Sequence, residues 1–279
     1  MYKGKIRNIY DLGNNLLIET TDRISAFDFV MPFEIKNKGI LLNSMTKFWF
    51  DYTKDIIENH MISTDLKDFP IEYQIEKYKD RCMLVKKLDM LPFEIIIRGY
   101  ITGSAWDTYS KDKNHIFYLN KLNRNYKLSE KLDTPIVTPT SKVSYGGHDE
   151  EVTYKQVVDA LGINLEKKVR EVALKIYEKC SEYALEKGII IADTKLEFGL
   201  DKNGELVLAD EILTPDSSRF WDVNKYEVNS NIPSLDKQYM RDYLSNTAWD
   251  KKSEPPYLPE KVINEIGKKY ADIAYRIMT

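Results

Sequence analysis

The stretch IIADTKLEFG, residues 190–199, decides how this chain folds around its most chemically informative residues. Side chains along a β-strand alternate between the two faces of a sheet. Asp193, Lys195 and Glu197 therefore share one face of the predicted strand, and Leu196 lies on the other. The pattern predicts a strand that carries two acids and a lysine side by side.

A second strand is predicted to bring another acid to the same face. The turn sequence DKNG comes next, and residues 205–211 read as the returning strand of a hairpin. If Leu200 pairs with Glu205, Asp210 lies opposite the lysine and diagonal to Glu197, roughly 7–8 Å away at the backbone. Because Mg²⁺ is commonly held by one or two carboxylates together with phosphate oxygens, this hairpin predicts a magnesium–phosphate site.

The same charges also fit a plain solvated strand face, which is what alternating charged residues usually indicate. Residues 189–191 are three isoleucines without alternation, which is typical of a strand covered on both sides. A register that differs by one residue would turn Asp210 to the opposite face and remove the site. Spacing alone leaves both interpretations open.

Composition indicates an ordinary globular protein. The 279 residues are 43% hydrophobic and 30% charged, with a net charge of −3. Since there is no long basic run, bulk nucleic-acid binding is not the expected task. No apolar run approaches the ~18 residues of a membrane span, and the N-terminal residues lack a signal-peptide core. Cys82 and Cys180 are expected to be reduced, buried thiols, which suits a cytosolic protein.

The order of predicted elements favours an α+β fold with an early β-rich part. Predicted strands precede the hairpin at residues 5–10, 15–20, 81–88 and 93–98, and predicted helices span residues 41–60, 166–187, 236–245 and 259–278. Residues 89–92, DMLP, break the pattern as a connection between two lobes would. Residues 119–145 are rich in Asn, Lys, Pro, Ser and Thr, and they are predicted to form a long loop.

Two pairs of cations near the first strands are candidate phosphate contacts. Lys5 and Arg7 are predicted to share a strand face just after a glycine, although a solvated edge strand also explains such a pair. Lys86 and Lys87 follow a buried run, so one of them is expected to point inward and to need an anionic partner. A nucleotide phosphate or an ordinary buried acid would supply that partner.

Two further segments combine arginine with hydroxyl groups. Arg98 precedes a glycine-containing run that ends at Ser104, and Arg219 lies in TPDSSRFW, residues 214–221. Arginine offers a bidentate fork to phosphate or carboxylate, and glycine lets the backbone approach an anion. Each segment alone fits a capped turn. Because the two segments flank the acidic hairpin, a substrate site is the favoured interpretation.

Together these residues resemble the SAICAR synthetase family of purine-pathway ligases over nearly the full length of the chain. The matching motifs are GKIRNIY at residues 4–10, DRISAFD at 22–28, LPFE at 91–94 continuing through Arg98 to Ser104, ADTKLEFG at 192–199, DE at 210–211, DSSRFW at 216–221 and DKQYMRDYL at 236–244. The chain departs from the family pattern at Asn8, at Phe93 and in residues 143–147. His148, just after that departure, fits either a place near the substrate or a helix N-terminus.

The resemblance implies an α+β, two-lobed, ATP-grasp-like fold with antiparallel sheets. A small β-rich nucleotide-binding lobe, residues 1–89, and a larger catalytic and substrate-binding lobe, residues 90–279, would enclose an interlobe ATP cleft. The resemblance also implies a cytoplasmic enzyme without nucleic-acid or membrane partners, and it allows a homo-oligomer.

The resemblance further implies roles for the candidate residues. The nucleotide contacts would be Lys5 and Arg7 over the phosphates, Lys86 at the nucleotide and Leu88 at the adenine hinge. Glu197 and Asp210 match the acids that hold Mg²⁺.

The remaining roles concern the second substrate. Arg98, Ser104 and Arg219 match residues that hold a phosphate-bearing imidazole ribonucleotide, carboxyaminoimidazole ribonucleotide (CAIR). Asp193 and Lys195 would lie near its reacting carboxylate.

The reaction implied by the resemblance is ATP + CAIR + L-aspartate giving SAICAR, ADP and phosphate, through an acyl phosphate. An ATP-dependent kinase with a similar cleft and a non-catalytic nucleotide-binding module are the alternatives. The complete set of acids and lysines disfavours the binding module, because a pure binder need not keep both Glu197 and Asp210.

Overall fold

The structure is a computed structural model that describes residues 1–142 and 150–279. In chain order its strands are β1 Tyr2–Lys3, β2 Arg7–Asp11, β3 Asn15–Thr20, β4 Arg23–Ala26, β5 Phe29–Glu34, β6 Met61–Ser63, β7 Cys82–Lys86, β8 Asp89–Met90, β9 Phe93–Tyr100, β10 Ile116–Phe117, β11 Asn120–Lys121, β12 Lys131–Ser141, β13 Ile189–Leu200, β14 Leu206–Ala209 and β15 Ser218–Asp222. Its α-helices are α1 Lys38–Thr53, α2 Gly103–Lys111, α3 Tyr154–Leu161, α4 Ile163–Glu186, α5 Gln238–Ser245 and α6 Glu260–Met278.

Strand β13 is the centre of the larger sheet. It pairs antiparallel with β9 and β15 along its first part and with β14 and β8 at its end, and β12 extends the sheet beyond β9. Ile189 and Ile191 pack into the main core together with residues of α4, whereas Ile190 packs with Tyr100 and Trp221. The three isoleucines are therefore covered on both sides, as their lack of alternation predicted.

A second, five-stranded antiparallel sheet is built from the N-terminal part of the chain in the order β1, β2, β3, β7, β6. The predicted α+β class with antiparallel sheets is confirmed. Helix α4 packs on β13, and its end is closed by Gly188 at φ 71°, a left-handed conformation that glycine adopts without strain. Helices α1 and α6 pack together beside a separate apolar cluster.

Two predicted elements are wrong in part. Residues 131–141, expected within a long loop, form β12, which pairs with β9 from Ile136 opposite Arg98 to Ser141 opposite Phe93. The prolines of β12 led to the prediction of a loop. They are tolerated because β12 is an edge strand, whose outer side makes no hydrogen bonds to a neighbouring strand of the sheet. The helix expected over residues 41–60 ends at Thr53.

Two simpler expectations concern cysteines and membrane helices. Cys82 and Cys180 are both free and buried, as predicted. Among the helices of the described residues, none is long and apolar enough to cross a membrane.

Candidate active site

The hairpin of β13 and β14 has a register one residue away from the predicted pairing. Leu200 pairs with Leu206 rather than with Glu205, and Glu197 pairs with Ala209. The prediction that Asp210 lies opposite Lys195 within a ladder is therefore wrong.

Asp210 nevertheless reaches the acidic site because its backbone leaves the strand. It follows the last residue of β14 and adopts a left-handed φ of 58°. This conformation redirects the side chain at a cost of about 1 kcal/mol, and aspartate is among the residues that tolerate it best. The turn at Asp210 thus compensates for the register shift that was expected to remove the site.

Arg7 joins the two sheets at this point. One guanidinium nitrogen lies 2.9 Å from Oδ1 of Asp210, and the other lies 2.6 Å from Oε2 of Glu211. Lys5, in contrast, lies before β2 in a bend, is half-exposed and pairs with Asp28 at 2.6 Å. The prediction that Lys5 and Arg7 share a strand face is therefore wrong.

The charged face of β13 has the alternation that was predicted. Lys195 Nζ lies 2.7 Å from a carboxylate oxygen of Glu197 and 2.7 Å from one of Glu94, and Lys142 Nζ lies 2.5 Å from Glu197. Burial alone would raise the pKa of Glu197, but Lys195 and Lys142 outweigh it and lower that pKa to about 2. Burial alone would lower the pKa of Lys195, but Glu197 and Glu94 hold it well above its usual value.

Glu94 and Lys142 were not among the predicted site residues. Glu94 lies four residues before Arg98 in β9, so both side chains point to the face that carries Lys195. That spacing was available in the sequence. Lys142 follows β12 directly. Because this region was predicted to be a loop, the position of Lys142 beside Glu197 could not be predicted.

The acids fit a magnesium ion by their chemistry. Burial raises the pKa of Asp210, Arg7 opposes this, and nearby Glu197 raises it further, so a divalent cation beside the two carboxylates would favour their charged forms. Across residues 1–142 and 150–279, no group of three or more His, Cys, Asp or Glu side chains is placed to hold a metal. Two carboxylates are enough for Mg²⁺ when phosphates and waters complete its shell.

The predicted substrate residues are brought together at the other end of the same face. Asp193 is the cross-strand neighbour of Arg98 on one side and of Arg219 on the other. These three residues, Ser104 and Lys195 all line one cavity of about 220 Å³. Asp193 Oδ2 lies 3.7 Å from Arg98 and 3.8 Å from Arg219, too far for hydrogen bonds.

Both arginines are oriented by hydroxyl groups. Arg98 donates from Nε to Thr138 at 2.9 Å and from Nη2 to Ser104 at 3.3 Å. Arg219 donates from Nη1 to Thr102 at 2.8 Å and lies over Gly103. A Cβ at Gly103 would meet Arg219 at 2.7 Å, and its φ of 55° also favours glycine. The segment therefore needs glycine to admit the guanidinium.

Lys237 is a cavity residue to which the sequence pattern assigned no role. It lines the same cavity, is buried, and donates from Nζ to Ser25 at 3.3 Å. Burial lowers the pKa of Lys237 to about 8, partly opposed by Asp216 and reinforced by Arg241. Asp216 is itself paired with fully buried Lys38 at 2.7 Å.

Lys86 and Leu88 line a second, larger cavity of about 970 Å³ between the two sheets. Lys86 and Lys87 are both about half-exposed, pairing with Glu58 at 3.2 Å and with Asp11 at 2.6 Å. The expectation that one of them points inward is therefore wrong. Residues 143–147 and His148 lie outside the described residues.

Comparison with known proteins identifies the family of the chain. The family model for SAICAR synthetase matches residues 1–256. The chain belongs to the SAICAR synthetase family. It is 46% identical to the phosphoribosylaminoimidazole-succinocarboxamide synthase of Lachnospira eligens, over 100% of this chain and 94% of that protein. It is 47% identical to the synthase of the same name from Geotalea uraniireducens, over 99% and 93%.

Solved structures of the family share the fold. The SAICAR synthase from Saccharomyces cerevisiae complexed with SAICAR superposes with a TM-score of 0.89 at 38% identity, covering 99% of this chain and 93% of that chain. A SAICAR synthetase in complex with ADP superposes with a TM-score of 0.72 at 29% identity, covering 99% and 96%. Membership of this family makes the chain a ligase of purine biosynthesis.

Proposed function

We propose that this ligase joins CAIR to L-aspartate at the expense of ATP, giving SAICAR, ADP and phosphate. One observation carries the proposal. A single face of β13 presents Asp193 between two arginines at one end and Glu197 beside Asp210 at the other, with Lys195 between the two groups. A phosphorylated, carboxylate-bearing substrate and a metal–nucleotide complex would meet along that face.

Arg98, Ser104 and Arg219 would bind the phosphate of CAIR. Two guanidinium forks and a hydroxyl converge on a cavity large enough for a phosphate, and neither arginine makes a hydrogen bond to Asp193. The carboxylate of CAIR would then lie toward Asp193 and Lys195. A relative supports binding of a ribonucleotide of this class by the fold, since the SAICAR synthase from Saccharomyces cerevisiae was solved in complex with SAICAR.

ATP would occupy the larger cavity and the space that leads from it to the acids. Leu88 would contact the adenine, Lys86 the nucleotide, and Arg7 and Lys5 the phosphates. We propose residues 1–89 as the nucleotide-binding lobe and residues 90–279 as the catalytic lobe, with an ATP-grasp-like cleft between them. The ADP complex of a relative supports nucleotide binding by this fold.

Glu197 and Asp210 would hold Mg²⁺, which neutralises phosphate charge when it is bound. The cations Arg7 and Lys195 stand beside these acids and would stabilise the charge that develops on the transferred phosphoryl group. Arg7 pairs with Asp210 and Lys195 pairs with Glu197, and Lys195 together with Lys142 lowers the pKa of Glu197.

The chemistry follows from the low reactivity of a carboxylate. A carboxylate oxygen of CAIR attacks the γ-phosphorus of ATP, and ADP leaves. The amine of aspartate then attacks the acyl carbon of the resulting acyl phosphate, and phosphate departs with the carboxylate oxygen. Asp193 orients the carboxylate or accepts a proton from the amine, while Lys195 stays charged throughout. No protein nucleophile is required.

The enzyme is proposed to work in the cytoplasm, where its two buried free cysteines stay reduced. Its proposed partners are the small molecules CAIR and L-aspartate rather than nucleic acid. A homo-oligomer remains an expectation from the resemblance.

Substrate dependence of ADP release tests the proposal. ADP should form at an appreciable rate only when CAIR and aspartate are both present, with one SAICAR per ADP. A stable phosphorylated product formed without aspartate would instead identify a kinase. ADP binding without any turnover would identify a nucleotide-binding module.

A further inference from the structure

Residues 4–7, which carry both candidate phosphate cations of the first strands, form a compact bend before β2. The amide of Gly4 donates to the carbonyl of Arg7 at 2.8 Å. A Cβ built on Gly4 would lie 3.2 Å from that same carbonyl oxygen, so glycine allows the close approach. Lys5 lies in the bend, and Arg7 leaves it as the first residue of β2, with its guanidinium at Asp210.

Arg23 holds the backbone of this bend with its guanidinium. Nε donates to the carbonyl of Lys5 at 3.1 Å, and Nη2 donates to the carbonyl of Gly4 at 3.1 Å. Nη2 also donates to the side-chain oxygen of Asn8 at 3.0 Å and makes a longer bond, at 3.4 Å, to the carbonyl of Arg7. Because the guanidinium is planar and its donors have a fixed geometry, this one side chain fixes several acceptors of the bend at once.

Thr21 binds the one carbonyl of the bend that Arg23 does not reach. The amide and the hydroxyl of Thr21 both donate to the carbonyl of Ile6, at 3.0 and 2.7 Å. The hydroxyl oxygen of Thr21 also accepts from the amide of Arg23 at 3.3 Å, which joins the two residues. Every carbonyl group of residues 4–7 therefore accepts a hydrogen bond from Thr21 or Arg23, and none of these bonds uses the amides of Lys5 and Ile6.

This arrangement suits a segment that lies against an anion. Carbonyl oxygens carry partial negative charge and repel phosphate, whereas backbone amides and cationic side chains attract it. Since Thr21 and Arg23 donate to all four carbonyl groups of the bend, they offset those partial charges. They also fix the backbone from which the side chains of Lys5 and Arg7 extend.

We propose that Arg23 is a positioning residue that fixes the bend of residues 4–7, so that Lys5 and Arg7 are preset to bind the β- and γ-phosphates of ATP. The inference rests on the proposed function, because that function places the phosphates at these two cations. Arg23 acts through the backbone of the bend rather than on the nucleotide. This role accounts for the arginine of the motif DRISAFD, residues 22–28.

Nucleotide affinity of the full chain tests the inference without relying on turnover. Isothermal titration calorimetry compares the ATP analogue adenylyl imidodiphosphate, in the presence of Mg²⁺, with AMP, which lacks the β- and γ-phosphates. The native chain should bind the analogue about tenfold or more tightly than AMP. Arg23→Lys keeps the charge, but one ammonium cannot reproduce the fork. It should weaken binding of the analogue about tenfold and leave the affinity for AMP nearly unchanged.

Chemical rescue isolates the contribution of the guanidinium. Arg23→Ala leaves space for a free guanidinium ion, which offers the donors that the side chain has lost. Millimolar guanidinium chloride should restore much of the affinity of Arg23→Ala for the analogue, and it should have no such effect on the native chain. Sodium chloride at the same ionic strength should not restore the affinity of Arg23→Ala.

Arg276→Ala is the matched control, because Arg276 also holds backbone carbonyl groups with a guanidinium. Its Nη2 donates to the carbonyl of Gly188 at 2.6 Å and to that of Lys187 at 3.3 Å, which ties α6 to the end of α4. Arg276→Ala should lower the melting temperature without changing the ratio of the affinities for the analogue and for AMP. A purely structural role of Arg23 predicts that its variants behave in the same way.

The possible outcomes have different meanings. Native affinity for the analogue in Arg23→Lys would overturn the positioning role while leaving the proposed function intact. Equal weakening of the analogue and of AMP in the Arg23 variants would overturn it as well, and so would a failure of guanidinium to rescue Arg23→Ala. If the native chain binds the analogue no more tightly than AMP, the placement of the phosphates in the proposed function fails and the inference falls with it.

Discussion

At the scale of single residues, the site is a row of alternating charges on one strand face. Lys195 stands between two acids of its own strand and also pairs with Glu94 of the neighbouring strand. Each charge is largely removed from water, and each has an opposite charge nearby. Removing one member of such a buried set leaves its partner uncompensated, so single substitutions here should have large effects.

Glu197→Gln should abolish magnesium-dependent turnover while keeping the fold. The amide keeps the shape of the side chain but removes the negative charge that faces the metal, and Lys195 retains Glu94 as a partner. We expect ADP release to fall by about two orders of magnitude or more. The measurement is ADP release over a series of Mg²⁺ concentrations, together with the melting temperature.

Glu171→Gln is the matched control, because Glu171 is an exposed glutamate on α4 whose ion pair with Lys167 is long, at 3.9 Å. It should behave as the native chain does. Native activity in Glu197→Gln would show that Glu197 does not hold the metal.

Lys237 should give substrate binding a distinctive dependence on pH. With its pKa near 8, the ammonium is charged below that pH and loses its charge as the pH rises, so the KM for CAIR should increase above pH 8. Lys237→Arg stays charged, and its KM should change little between about pH 7 and 9.5. Parallel profiles for the two proteins would show that Lys237 does not contact the anion.

The stability contribution of Lys237 has the opposite direction to that of an ordinary ion-paired lysine. Its pKa falls from 10.5 to about 8 on folding, so between these values the unfolded chain binds more protons than the folded chain. The free energy of unfolding attributable to this group therefore rises with pH across that window. Burial of the charged form is unfavourable at neutral pH, which is a common cost at functional sites.

At the scale of elements, the end of β13 sets the position of Leu88. Gly199 pairs with Met90 on one side and Val207 on the other, and a Cβ built there would lie 2.8 Å from Cβ of Leu88 and 3.0 Å from the carbonyl oxygen of Asp89. The strand therefore needs glycine where the connection between the two sheets crosses it.

Gly199→Ala should raise the KM for ATP several-fold and destabilise the fold by about 1–3 kcal/mol, because it displaces Leu88 from the wall of the larger cavity. Gly267→Ala is the control: its Cβ would meet Ile35 at an ordinary 3.5 Å within helix α6, so it should gain up to about 1 kcal/mol. Kinetics at varied ATP and thermal unfolding check both. An unchanged KM for ATP in Gly199→Ala would show that Leu88 does not contribute to nucleotide binding.

The elements were predictable where periodicity was strong. The alternation in β13, the length of α4 and its glycine end, and helix α6 all follow from local sequence. Strand β12 was missed because its two prolines indicate a loop, and only the sheet order shows that it is an edge strand. The hairpin register was missed because it depends on the turn and on the exit of the chain at Asp210, which alternation does not specify.

At the scale of the whole molecule, the site is assembled from parts of the chain that local patterns cannot connect. Arg7 meets Asp210 across 203 residues, and His60 stands between the two sheets. Motif resemblance selected Arg98, Ser104, Asp193, Lys195 and Arg219, and the structure brings these five residues to one cavity. The resemblance did not reveal that Lys142, Glu94 and Lys237 complete the charge balance. The spacing of Glu94 from Arg98 within β9 was visible in the sequence, whereas the positions of Lys142 and Lys237 depend on tertiary packing.

The transfer of an oxygen atom from CAIR to phosphate tests the central claim most directly. CAIR labelled with ¹⁸O in its carboxylate is incubated with ATP, Mg²⁺ and aspartate, and the released phosphate is analysed by mass spectrometry. If the carboxylate attacks the γ-phosphorus and the amine later displaces phosphate, each turnover transfers one ¹⁸O atom to phosphate. Unlabelled phosphate, formed in step with SAICAR, would contradict activation of the carboxylate at this site.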